Sequence, residues 1–300
     1  MRWRHGLVVL LLPALLPAGC GSRPAPEALQ DSALAQAADS GRQSLEYSRL
    51  KQAATQYQQA YTLALARNDV QAIGDSGYNL AVVQLADDDA AAAVRTALRT
   101  RAALIARATP SFAELDLVQS AALHRLGRDA EADTLAARAQ STASSTVTRA
   151  RASYMRGLVA DARNDAAGMV AALAGFGQPK TPTPDWEADH AELTARLELL
   201  RGQYRQAAIN AQRAADTHRG QLDYRAMAVS VALAAKAMQR AGSPQDAANL
   251  YLQAGQSAAA RDDTVSATRW LKLALRPGAD AGTRHTAQDA LDVLRKVPSR

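Results

Sequence analysis

Apolar and small residues recur along most of the chain at spacings of three and four, the period of an α-helix that turns once in about 3.6 residues. The pattern is clearest at Gly202-Gln-Tyr-Arg-Gln-Ala207-Ala-Ile-Asn-Ala211-Gln-Arg-Ala214. There a glycine stops one helix, a short polar step turns the chain, and a second helix begins. Ala207, Ala211 and Ala214 share one face of that second helix, and alanine on a helix face lets another helix pack very close. β-branched runs are absent, and helix-favouring residues dominate, so helix is expected over strand nearly everywhere.

The device repeats. Small residues in a first helix pair with residues twelve positions later in a second: Gly41/Ala53, Ala81/Ala93, Ser120/Ala132, Gly157/Met169, Ala195/Ala207 and Ala235/Ala247. Successive first members lie 40, 39, 37, 38 and 40 residues apart, a repeat period. Turns fall where this register demands them, at Asp87–Asp89, Leu126–Asp129, Arg163–Asp165, Arg201–Gln203 and Ala241–Pro244.

The pattern predicts about fourteen helices in pairs: 27–46 with 49–67, 70–86 with 89–107, a pair from Pro110-Ser111 to about 141, and 146–162 with 165–174. The fifth pair runs from 184 to about 217, the sixth covers 221–241 and 244–260, and the last 263–276 and 280–296. Ser111 to Glu114 fits a capping box, and Thr183-Pro184 and Ser243-Pro244 read as N-cap followed by N1. Gly175 to Thr183, with two glycines and two prolines, is the one long irregular connection. It separates a block at 27–174 from one at 184–296, and it is read as an irregularity within one superhelix.

Composition bears on how such an array is held together. Aromatic residues make up only 4 %, and alanine buries little area, so stability has to come from close backbone approach between stacked neighbours. The formal charge of +6 falls to +4 once Arg2 and Arg4 are removed with a leader. That surplus is read as solubility, and no nucleic-acid partner is expected. The leader itself is Met1 to Gly19: basic Arg2 and Arg4, the apolar run Leu7 to Leu16, then Ala18-Gly19. The run is too short to span a bilayer, which needs roughly twenty residues.

This end resembles a bacterial lipoprotein signal, in which cleavage leaves a lipid-modified cysteine at the new N-terminus. Leu16, Ala18, Gly19 and Cys20 match it, while Pro17 stands where an aliphatic is usual. Cys20 is the sole cysteine, with no intramolecular disulfide partner, and residues 20–26 make a breaker-rich tether. Gly21, rather than Asp, follows the cysteine; the resemblance then implies lipid anchoring to the outer membrane, facing the periplasm.

The repeating units resemble the tetratricopeptide (TPR) family. Gly202-Gln-Tyr-Arg-Gln-Ala207 and Gly127-Arg-Asp-Ala-Glu-Ala132 match its turn and following alanine, and Tyr78-Asn-Leu-Ala81 its first-helix core. The period of 37 to 40 exceeds the family's 34, and the early Trp is missing. The resemblance implies an all-α, right-handed α-solenoid of about seven helix–turn–helix units over residues 27–296. It also implies that first helices line a concave binding face. Carried over by position, that face holds Arg42, Tyr78 and Val82, Leu117 and Ala121, Tyr154 and Leu158, Glu192 and Arg196, and Ala232 and Lys236. Arg42, Tyr78, Tyr154, Glu192, Arg196 and Lys236 are the expected partner contacts. The family's Lys/Asn clamp for C-terminal carboxylates is not present as a set.

Chemistry fares poorly beside this. Gly74-Asp-Ser-Gly-Tyr78 is similar to a serine-protease nucleophile motif, but it lies in a helical unit without a spaced His and Asp. Asp87-Asp88-Asp89 lacks the Gly and Glu of a calcium loop, since those positions hold Ala92 and Leu98, and reads as a turn and N-cap. Asp185, Glu187, Asp189, His190 and Glu192 are read as first-turn charge complementing the helix dipole. No nucleotide-binding loop or metal motif is found, and no catalysis, cofactor or metal is expected. The expected function is a membrane-anchored scaffold or adaptor that binds protein or peptide segments of the cell envelope, in outer-membrane, pilus or peptidoglycan assembly. The alternative is a periplasmic ligand-binding lipoprotein serving a transporter, which a buried polar cavity would favour.

Overall fold

The computed structural model describes residues 32–296, and these residues form fourteen α-helices and no strand. Cys20 and the tether lie outside the described residues. The helices come in seven pairs: α1 (Ser32–Glu46) and α2 (Leu50–Arg67), α3 (Val70–Ala86) and α4 (Ala90–Ile105), α5 (Ala113–Arg125) and α6 (Asp129–Thr142), α7 (Thr146–Ala162) and α8 (Ala166–Gly175), α9 (Pro184–Leu200) and α10 (Tyr204–Gly220), α11 (Tyr224–Arg240) and α12 (Pro244–Ala259), α13 (Thr264–Ala274) and α14 (Ala281–Lys296). Each helix packs on the next in the chain. The first helices also touch one another from pair to pair, α3 on α5, α5 on α7, α7 on α9 and α9 on α11. The architecture is an all-α solenoid in which each unit is covered by its neighbours.

One turn device joins the helices within a pair. Asp88, Gly127, Asn164, Gly202 and Gly242 all take positive φ, inside the five turns that the sequence marks. The next residue's N–H then reaches back five residues, as from Asp89 to the Gln84 carbonyl at 2.9 Å and from Gln203 to Glu198 at 2.8 Å. This arrangement satisfies carbonyls that the end of the helix leaves open. Asp89 at once caps the following helix, accepting from the Ala92 N–H at 2.8 Å, so the acidic triplet is a turn and cap.

The small-residue positions are where the units meet. Gly41, Ala53, Ala81, Ala93, Ser120, Ala132, Gly157, Met169, Ala195, Ala207, Ala235 and Ala247 are all buried. Ser120 adds a hydrogen bond across its pair, donating from Oγ to the Ala132 carbonyl at 2.7 Å. A Cβ on Gly157 would overlap the isopropyl group of Leu193 on α9, so glycine here sets how closely α7 and α9 approach. Gly77 is under the same constraint against Thr100 on α4. The Gly74–Tyr78 stretch is therefore a helix-crossing point, and Ser76 is buried within it.

Two expected caps are corrected. Phe112, not Ser111, occupies the N-cap of α5 and makes no side-chain cap bond. Ser111 instead accepts from Arg101 Nη1 at 3.3 Å, and Glu114 accepts from Thr148 Oγ1 at 2.7 Å, so both members of the proposed box serve contacts between units. Ser243 stands at the N-cap of α12 without a side-chain bond, leaving Pro244 as the start signal. Thr183 does cap α9, accepting from the Trp186 N–H at 3.3 Å.

Packing runs through the irregular connection at 175–183. Phe176 is buried in one apolar cluster with Met169 and Ala172 of α8 and Leu193 and Leu197 of α9, and Trp186 packs against it. The Trp186 indole donates to the Phe176 carbonyl at 3.3 Å, and its ring stacks on His190 at 4.8 Å between centroids. Asp116 is a second internal tie, 2 % exposed, accepting from Arg138 at 2.5 and 2.7 Å and pairing with Arg101 at 2.7 Å. It fastens α4, α5 and α6 together.

Candidate functional site in the lumen of the solenoid

Side chains of α3, α5, α7, α9, α11 and α13 line a shared lumen. Two recesses open from it. The first, 520 Å³, lies among α3, α5, α7, the start of α9 and the turn between α10 and α11. The second, 780 Å³, lies among α5, α7, α9, α11 and α13. Tyr154 and Asp223 border both.

A charged bridge ties the two sides of the lumen. Asp88, at the α3–α4 turn, accepts from Arg125 at the end of α5 at 2.9 Å, and its two oxygens both accept from Arg225 Nη2, at 2.9 and 3.0 Å. Arg225 also donates to the Ala86 carbonyl at 2.9 Å, and Arg125 to the Leu85 carbonyl at 2.6 Å. Asp88 and Arg225 are 137 residues apart, so the superhelix curls far enough for the second pair to meet the sixth. Burial and the neighbouring Arg225 push the Arg125 guanidinium down, and Asp88 opposes them.

The two recesses differ in charge. The second carries five arginines, Arg125, Arg196, Arg225, Arg261 and Arg269, against four carboxyl groups, Asp88, Glu192, Asp223 and Asp263. Arg261 donates from Nε to the Ser257 carbonyl at 3.1 Å, while its buried Nη2 has no partner among the described residues. The first recess is acidic: Glu114, Asp185, Asp189 and Asp223 face one guanidinium, Arg151. Asp185 is taken up by Arg151 at 2.8 Å and by the Gln221 amide. Burial, reinforced by Glu192, raises the Asp189 carboxyl to about 7, against the pull of Arg151. A buried carboxylate near other carboxylates holds its proton longer because both desolvation and repulsion disfavour the charge.

The expected contact residues divide into three groups. Tyr78, Val82, Leu117, Ala121 and Tyr154 line the first recess, and Tyr154 and Leu158 the second. Tyr78 meets Phe112 edge-on at 6.2 Å, and burial raises its phenol. Glu192 and Arg196 also border the second recess, but as a closed network. Glu192 is 2 % exposed; its Oε1 accepts from Arg196 Nε at 3.0 Å and Nη2 at 2.5 Å, and its Oε2 from Ser230 at 3.3 Å. Arg196 turns its third nitrogen to Asp161 at 2.8 Å. Burial alone would lower the Arg196 guanidinium, and Glu192, Tyr154 and Asp161 overturn that and raise it. Burial, then Glu192, pushes the Tyr154 phenol well up, with its hydroxyl bonded to that carboxylate. Arg42 and Lys236 form the third group: both are exposed and border neither recess, and Arg42 pairs with Asp39 at 2.9 Å. Ala232 is buried between helices.

Sequence reasoning missed Asp88, Arg225, His218, Gln221 and the individual role of Asp189. Only the curl of the array brings Arg225 to Asp88. His218 and Gln221 come from the end of a second helix, where a search confined to first helices does not look. Among the described residues no group of three or more His, Cys, Asp or Glu is placed to hold a metal ion, and no described helix is long and apolar enough to cross a membrane.

No protein-family model and no curated protein matches the chain. Solved structures do. A tetratricopeptide repeat protein from Parabacteroides merdae is similar at 15 % identity over 88 % of this chain and 99 % of its own, with a TM-score of 0.48. The C-terminal part of a TPR repeat-containing protein from Cytophaga hutchinsonii is similar at 12 % identity over 82 % and 97 %, with a TM-score of 0.44. The TPR2AB domain of yeast Sti1, in its complex with pHSP90, is similar at 14 % identity over 88 % and 98 %, with a TM-score of 0.37.

Proposed function

We propose that the chain is a non-catalytic binding protein that captures a partner segment within the lumen of its superhelix. The observation that carries this is the orientation of the first helices. Their small residues are spent on packing between units, while Tyr78, Val82, Leu117, Ala121 and Leu158 keep part of their surface on one continuous inner face. A segment of polypeptide is the class of ligand that such an extended, mixed polar and apolar face suits. The lipoprotein-like end at Cys20 adds an address: a lipid anchor on the outer membrane, with the array hanging in the periplasm as a scaffold or adaptor for envelope assembly.

Two experiments test the parts separately. Crosslinking in intact cells followed by mass spectrometry should recover envelope proteins attached to lumen residues; a pattern of attachments spread evenly over the outer helices overturns the capture mechanism. Cys20→Ala should leave the protein uncleaved or released from the membrane, and continued co-fractionation with outer membrane after a carbonate wash overturns the anchor.

The alternative of a small-ligand receptor has one observation of its own, the volume of the first recess. At 520 Å³ it falls in the range of about 300–1,000 Å³ that small-molecule sites occupy.

A further inference from the structure

The first recess is bordered by buried polar atoms that no described residue pairs with. His218, at the end of α10, is 7 % exposed and borders the recess, and its Nε2 has no partner among the described residues. Gln221, three residues on, gives its amide N–H to Asp185, which fixes the amide orientation and leaves Oε1 buried and unpartnered beside the same space. Asp189, one helical turn after Asp185 on α9, also borders the recess, and its carboxyl makes no hydrogen bond or ion pair with any described residue. A buried polar atom without a partner costs free energy; Gln221 Oε1 is an acceptor, and His218 Nε2 is one when Nδ1 carries the proton, so beside a carboxyl they call for a ligand rich in N–H donors.

We infer that this recess binds an organic cation, a primary ammonium or guanidinium group, held by Asp189, Gln221 and His218 under the rings of Tyr78 and Tyr154. Charge selects the sign: four carboxylates and one guanidinium line the wall, and that guanidinium is already engaged with Asp185. The tyrosine faces add attraction for a desolvated cation. An ammonium supplies three N–H donors, enough for the carboxylate and both orphan acceptors. The inference rests on the lumen being the capture site, and it makes a lysine or arginine side chain of the captured segment the group that enters. A free diamine presents the same chemistry. Asp189 has to be ionised to hold the cation, and it is faced by Arg151 on α7, Asp185 and Glu192 on α9 and Asp223 at the start of α11, with Glu114 and His218 lining the same recess. Affinity therefore rises with pH through about 7.

Calorimetric titration of the purified full-length protein tests this with three probes: cadaverine, an acetylated lysine-containing tripeptide amide, and the same tripeptide with norleucine for lysine. Binding of the lysine peptide, with the norleucine peptide weaker by about tenfold or more, is expected for a charge-assisted hydrogen bond to a buried group. Binding of the peptide but not cadaverine assigns the cation to a polypeptide, and equal binding of both assigns it to any alkylammonium. Asp189→Asn and Gln221→Leu should each weaken the lysine peptide, while Lys236→Ala leaves it unchanged; circular dichroism checks that the variants fold. Equal affinity for the two peptides, no binding of either amine at millimolar concentration, or an Asp189→Asn variant that binds as well as the native protein overturns the inference. Failure here is separable from failure of the capture mechanism. A partner crosslinked at Tyr78 that brings no cationic side chain to the recess sinks the inference alone, whereas amine binding without lumen crosslinks sinks the mechanism.

Discussion

Arg196→Met is the substitution whose cost is best defined by the structure. It keeps the aliphatic stem and deletes the guanidinium that gives Glu192 two hydrogen bonds at 3.0 and 2.5 Å. Glu192 is then a carboxylate 2 % exposed, left with Ser230 at 3.3 Å and the Tyr154 hydroxyl. Removing one partner of a buried ion pair costs about 3–5 kcal/mol, because the remaining charge stays desolvated. Arg196 is 18 % exposed, which lets water reach that side of the pair and sets the expectation near the lower end, about 3 kcal/mol. Loss of the partly exposed Asp161 contact adds at most about 1 kcal/mol. In Glu192→Gln/Arg196→Met the charge is gone and the amide can still bond to Ser230 and Tyr154, so the double variant should regain about 2 kcal/mol of the single variant's loss. Urea denaturation followed by far-ultraviolet circular dichroism measures both. Amide hydrogen exchange then locates the weakened segment at α7, α9 and α11, since a solenoid opens by segments. A cost below about 1 kcal/mol, or a double variant no better than the single, refutes the buried pair. One consequence concerns binding: Arg196 variants report on folding, so tests of capture belong at Tyr78, Val82 and Asp189.

Three further outcomes follow from the same packing and charge. Gly157→Ala should destabilise by about 1–3 kcal/mol through overlap with Leu193, whereas Gly220→Ala, with open space around its would-be Cβ, should gain up to about 1 kcal/mol; paired thermal melts decide. The native state holds the Asp189 proton up to about pH 7, while the unfolded chain releases it near 3.8. The folded protein therefore binds more protons in that window, and stability falls as pH rises through it. Asp189→Asn should remove a decline whose ceiling is about 4 kcal/mol, reduced to roughly half because the side chain is partly open to the lumen. Denaturant midpoints of both proteins at pH 4 and pH 8 measure this, and parallel pH profiles contradict it. Arg225→Ala should cost under about 1 kcal/mol, as a partly exposed ion pair, yet free the α3–α4 turn from α11. Spin labels at positions 87 and 224 on a Cys20→Ser background should show a broadened distance distribution, and an unchanged one refutes the bridge.

Much of the fold was legible because it depends on local rules. Glycine, asparagine or aspartate at five of the turns and small residues every 37 to 40 positions placed the described helices within a few residues, while the expected start of the first helix at 27 lies outside the described residues. Ser111 and Glu114 were misread because a capping pattern specifies only local geometry, and both side chains found partners on other helices. The candidate site was half legible. Tyr78 and Tyr154, positions that the family resemblance implies, border the recesses. Glu192 and Arg196 border the second recess, but their burial and mutual neutralisation are set by α7 and α11, which no spacing along α9 reveals. Asp88, Arg225 and His218 meet the lumen through the superhelical curl, a sum of small angles between units that the sequence pattern does not encode.

The most direct test of lumen capture is a photo-crosslinking amino acid placed singly at Tyr78, at Val82, and at Ile209, which is 60 % exposed on α10 and borders neither recess. In intact cells, Tyr78 and Val82 should yield the same crosslinked partner segment and Ile209 should not. Partners captured at Ile209 but not at Tyr78 or Val82 would contradict the lumen as the binding surface.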